Sequence, residues 1–101
     1  MTTDHRLSAK SAVEKLLGIL RNDPNVAQLQ TLAAECESLA SAIAAFHIEA
    51  IRFRMFNVDR LLTRGGLPVP AEAPAIFTDV RRELEAAGFH TRSHAAPTSG
   101  S

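Results

Sequence analysis

A forty-residue stretch of the chain, 25–64, contains neither proline nor glycine. No other feature constrains the fold as strongly. Ala, Leu, Glu and Arg, all good helix formers, recur through it. Pro24 precedes it, and Gly65 and Gly66 follow. Within it Leu29, Leu32, Cys36, Leu39, Ile43, Phe46, Ala50 and Phe53 succeed one another at spacings of three and four. That is the pattern of a helix burying one narrow seam. The spacing predicts a single α-helix over 25–64.

A second stripe complicates this seam. Ile48, Ile51, Met55, Val58 and Leu62 also alternate at three and four, on the side opposite the first set. A helix apolar on opposite faces is sandwiched between neighbours. The charges divide as well. Residues 25–49 carry Glu35, Glu37 and Glu49 and no Lys or Arg, whereas 50–64 carry Arg52, Arg54, Arg60 and Arg64 against Asp59.

Shorter helices flank the long one. Residues 1–7 read as a flexible N-terminus. A first helix is expected over about 8–22, with Ser11 and Glu14 as a capping box and Val13, Leu16, Leu17 and Leu20 on one face. Gly18 costs it about 1 kcal/mol relative to Ala, which close approach of another helix would explain. The turn at Arg21–Asn25 should fold the first two helices into an antiparallel hairpin. After Gly65, the expected left-handed residue, comes an extended connector with Pro68 and Pro70. A third helix is expected over about 74–88, facing inward with Ile76, Phe77, Val80, Leu84 and Ala87. Gly88 and Phe89 fit a Schellman ending. The composition of 90–101 is that of a disordered tail.

A helix of this length would span about 58 Å, whereas a compact chain of 101 residues is about 35 Å across. The expected architecture is therefore all-α: a helical hairpin with one very long central helix and a short C-terminal helix, in an oligomeric bundle. The acidic and basic halves favour an antiparallel homodimer. The interface between copies is assigned to Leu29, Leu32, Cys36, Leu39, Ile43, Phe46, Ala50 and Phe53. A groove for another protein is assigned to Ile48, Ile51, Met55, Val58 and Leu62, rimmed by Arg52 and Arg60, with Phe56 as a large anchor.

Composition narrows the function. Eleven Lys plus Arg balance eleven Asp plus Glu, so nucleic acid and anionic membrane are disfavoured as partners. Runs without charge, Ser38–Phe46 among them, are far short of a membrane span. One cysteine fits a reducing compartment, and a cytoplasmic location is expected. No phosphate-binding glycine loop is present, and no cofactor is expected. Cys36 reads as a buried small hydrophobe.

Chemistry has two weak footholds. His47 and Glu49 are two residues apart and do not face each other on a helix, so they would need two chains to form a site. His90 and His94 have chelating spacing if helical, but lie in the tail. The expected function is a non-enzymatic interaction module: an adaptor, assembly factor, chaperone or regulatory subunit. One alternative is a nucleic-acid-binding regulator using Arg52, Arg54, Arg60 and Arg64. The other is a small dimeric helical enzyme or metal protein using His47 and Glu49.

Overall fold

The structure, a computed structural model, describes residues 4–89. The expected tail, with His90 and His94, lies outside the described residues. The described chain is all-α, with no strand among those residues. Its elements are α1 (His5–Arg21), a 3-10 turn (Val26–Leu29), α2 (Gln30–Ala45), α3 (Ile48–Arg64) and α4 (Ala73–Ala86).

Helix α1 begins at His5, earlier than expected, because Asp4 caps it. The Asp4 carboxylate accepts from the backbone N–H groups of Arg6 and Leu7, each at 3.1 Å. Ser11 and Glu14 form no capping box there, since they sit inside the helix, and Glu14 instead pairs with Lys10 at 2.7 Å. Gly18 has no close neighbour, so helix approach does not explain it. The turn after α1 is an Asx turn: Asp23 accepts from the Asn25 N–H at 2.8 Å.

The expected unbroken helix over 25–64 is corrected by the structure. It divides at Phe46 and His47 into α2 and α3, which fold back on each other. The longest dimension of the molecule is 43 Å, too short for the helix the spacing predicts.

The break is a Schellman ending built without glycine. Phe46 is left-handed, at φ 49° and ψ 45°. Its N–H bonds the Ile43 carbonyl at 2.9 Å, and the His47 N–H bonds the Ala42 carbonyl at 3.0 Å. Those two bonds close the end of α2. His47 then turns extended and caps α3, its Nδ1 accepting from the Ala50 N–H at 3.3 Å.

Two energetic terms explain why a strained phenylalanine is tolerated. Folding back turns both opposed stripes toward one core: Leu32, Cys36, Leu39 and Ile43 from α2 with Ile51, Met55 and Val58 from α3. Each such side chain contributes about 1.5–3 kcal/mol on burial, against about 1–3 kcal/mol for one left-handed residue. Folding back also places the acidic half beside the basic half within one chain. Arg54 donates to both Glu35 oxygens at 3.0 and 3.2 Å, and Asn57 donates to the same carboxylate at 3.1 Å. The antiparallel charge match expected between two copies is thus made between α2 and α3.

Helix α1 packs most extensively, on α4 and on α2; α3 packs on α2 and touches α4 least. The connector leaves α3 through Gly65, which is right-handed; Gly66 is the left-handed residue, at φ 64°. Leu67 and Val69 lie half-buried against the core. Helix α4 buries Ala73, Ile76, Phe77, Val80 and Leu84. It ends as expected, with Gly88 at φ 97° and the Phe89 N–H on the Leu84 carbonyl at 2.9 Å. Phe89 folds back into the core.

Candidate interaction surface

Helix α3 presents two unlike sides. At about 100° per residue, Ile51, Met55 and Val58 share one side, and all three are buried. Glu49, Phe53, Phe56 and Arg60 fall within about 60° of one another on the other side, and all four are exposed. Phe53 is 57% exposed and Phe56 60%. These are two of only five phenylalanines in the chain. Phe77 and Phe89 are buried, and Phe46 is half-buried at the turn.

Arginines dress this face. The Arg54 guanidinium lies 5.0 Å from the Phe53 ring centre, and that of Arg60 lies 5.9 Å from the Phe56 ring centre. A cation over an aromatic face is attracted by the ring quadrupole. The Arg52 group reaches the Glu49 carboxylate at 3.2 Å and also lies 5.6 Å from the Phe89 ring centre. It thereby links α3 to the end of α4. Arg81 of α4 adds a second link, to Asp59 at 3.4 Å. The Nε atoms of Arg52 and Arg81 are buried without a hydrogen-bond partner.

The residues expected at an interface between copies fall in two groups. Leu29, Leu32, Cys36, Leu39 and Ile43 lie in the chain's own core, covered chiefly by α1 and α3. Phe46 and Ala50 are half-buried, and Phe53 is exposed. The expected partner groove divides likewise. Ile51, Met55 and Val58 are core residues, and Leu62 is half-buried against them. Ile48, Phe56 and Arg60 are exposed, and Arg52 is half-buried. The groove therefore does not exist as an open apolar channel, because the fold-back of α3 closes it. What stays at the surface is the opposite side of the same helix.

The arginines proposed for nucleic acid are dispersed. Arg54 is bound to Glu35 and Arg52 to Glu49. Arg60 and Arg64 form no ion pair among the described residues and share the outer side of α3.

His47 and Glu49 do not converge: the His47 Nδ1 caps α3, and the Glu49 carboxylate meets Arg52. Among the described residues, no group of three or more His, Cys, Asp or Glu is placed to hold a metal ion. A shallow, open groove between α2 and α3 is lined by Glu37, Ser38, Ser41, Ala42, Ala50 and Arg54. Glu37 is ion-paired with Arg21 and Arg54 with Glu35. Cys36 is fully buried, and burial first, with the nearby Glu35 charge second, pushes its thiol up to about 12. It is a protonated, inaccessible core group, the opposite of a reactive thiolate.

Among the described residues, no helix is long and apolar enough to cross a membrane. Comparison with known proteins finds no match among family models, curated proteins or solved structures.

The pair of exposed aromatics was partly legible in the sequence. By spacing alone Phe53 belongs to the seam expected between copies, and Phe56 to the groove expected for another protein. The signal that unites them is the spacing four, three, four from Glu49 to Arg60, a stripe that shares Phe53 with the first seam and lies opposite Ile51, Met55 and Val58.

Proposed function

We propose that the chain is a non-enzymatic, all-helical protein interaction module that works through the outer side of α3, as a homo-oligomer. An adaptor, assembly factor, chaperone or regulatory subunit would have this form. A reducing, cytoplasmic setting suits its one buried, unpaired cysteine. The single observation that carries the reading is the exposure of Phe53 and Phe56 one turn apart on the same helix face. Large aromatics and arginine are the residues that most often anchor protein interfaces. The fold does not need these two rings, since the core is complete on the other side of α3.

A photo-crosslinking amino acid replacing Phe56 in the native cell tests this reading. Protein adducts are expected from position 56 and not from Thr78, an exposed position on α4. Equal labelling from both positions, or none from position 56, would end the proposal.

A further inference from the structure

The outer face of α3 is complementary to itself. Glu49, Phe53, Phe56 and Arg60 follow at spacings of four, three and four. Read backwards, the spacings are the same. A second copy laid antiparallel therefore meets the first in register at every position, as a two-fold interface requires. With the axis midway between Phe53 and Phe56, each Phe53 faces Phe56 of the other copy. Each Glu49 faces Arg60 of the other copy. An in-register parallel pair would instead set Glu49 against Glu49 and Arg60 against Arg60.

We infer that the chain self-associates through α3, as an antiparallel helix pair with Phe53 on Phe56 at its centre and Glu49 on Arg60 at each end. The inference rests on the interaction-module reading above and names the partner as a second copy. Four features favour that occupant. The alternation of four and three is that of a left-handed helix pair, in which side chains of one helix enter the gaps of the other. The charges match only in the antiparallel sense. All four side chains are already at the surface, with Glu49 81% exposed, so pairing requires no opening of the core. Arg60 forms no ion pair within the described residues, and it lies beside the Phe56 ring that the second copy would cover.

The paired segment is about 17 Å long. Specific interfaces usually bury about 1,200–2,000 Å², and one short helix pair gives a modest contact. Self-association should therefore depend on concentration.

Sedimentation across micromolar to sub-millimolar concentrations reads this directly. The mean mass should rise from 10.9 kDa toward twice that value. Glu49→Arg alone and Arg60→Glu alone should each hold the chain monomeric, since each sets like charges at both ends. An equimolar mixture of the two variants should restore the doubled mass, because every facing pair is then opposite in charge. The double variant Glu49→Arg/Arg60→Glu should also restore it, which separates pairing from damage to the fold. A wild-type chain that stays monomeric throughout overturns the inference. So do single variants that associate like the wild type, or a mixture that stays monomeric. If the chain is monomeric and the crosslinker at position 56 captures a different protein, self-pairing and the homo-oligomer are wrong, while the outer side of α3 stands as the surface of an interaction module. If the crosslinker captures nothing, both fail.

Discussion

Helices α2 and α3 come from one uninterrupted stretch of chain and are nearly equal in length, at 16 and 17 residues. They treat their apolar residues differently. Every large apolar side chain of α2 is buried, and the rest of its surface is Ala, Ser, Thr, Gln and Glu. Helix α3 buries Ile51, Met55 and Val58 and still leaves Ile48, Phe53 and Phe56 at the surface. The fold accounts for all of the hydrophobicity in α2 and for only part of it in α3. Exposed aromatics in excess of what a core needs mark contact surfaces.

The sharpest way to break this contrast is to truncate the buried side of each helix. Ile43→Ala in α2 and Ile51→Ala in α3 should each destabilise by about 2–5 kcal/mol in urea unfolding. Comparable losses would establish that both stripes serve one core. A loss at Ile43 with none at Ile51 would mean that the inner face of α3 is not buried.

Next in size is an alkaline effect confined to α2. The folded chain holds the Cys36 thiol near 12, against an ordinary value of 9.0. The unfolded chain therefore releases the proton first. Stability is unaffected below about pH 9 and falls between about pH 9 and 12, by roughly 1.4 kcal/mol per pH unit. Cys36→Ala should abolish that part of the decline. An unchanged slope would show that the thiol is not desolvated.

Smaller still is the contact that joins the two helices. Glu35→Ala removes the partner of both Arg54 and Asn57. The group is partly exposed, so the loss should be about 1 kcal/mol or less. Coupling between Glu35→Ala and Arg54→Ala in a double-mutant cycle would confirm the pairing within one chain. Smallest in stability should be Phe56→Ala, within about 0.5 kcal/mol of wild type, although it removes half of the proposed contact. A large loss of stability there would place the ring in the core and remove the contrast.

Much of the fold was legible. The three-and-four spacing marks Val13, Leu16, Leu17 and Leu20 of α1 and Ile76, Phe77, Val80 and Leu84 of α4, all buried, though not the small Ala9 and Ala73, and the glycine marks the Gly88–Phe89 ending. The break at Phe46–His47 was not. Helix ends are ordinarily signalled by glycine or proline and by Ser, Thr, Asp or Asn caps. Here phenylalanine takes the left-handed position and histidine supplies the cap. The evidence for a turn was present in another form: the apolar stripe changes sides and the charge changes sign within the same few residues. A straight helix between two partners and a hairpin around one core both satisfy that pattern. Only the second buries both stripes without another chain.

The same ambiguity governed the site. Taking 25–64 as straight put Phe53 on one seam and Phe56 near the other. Once the helix is broken at Phe46, the burial of Ile51, Met55 and Val58 turns both phenylalanines outward together.

The fold-back of α2 and α3 is the central claim, and one distance tests it. Nitroxide labels at Thr31 and Thr63, both exposed, can be measured by pulsed electron resonance in chains diluted with unlabelled protein. Helices packed side by side lie about 8–10 Å apart, so with the label arms the hairpin predicts a distance of about 20 Å or less. An unbroken helix would separate the same positions by about 48 Å, and a peak there would contradict the account.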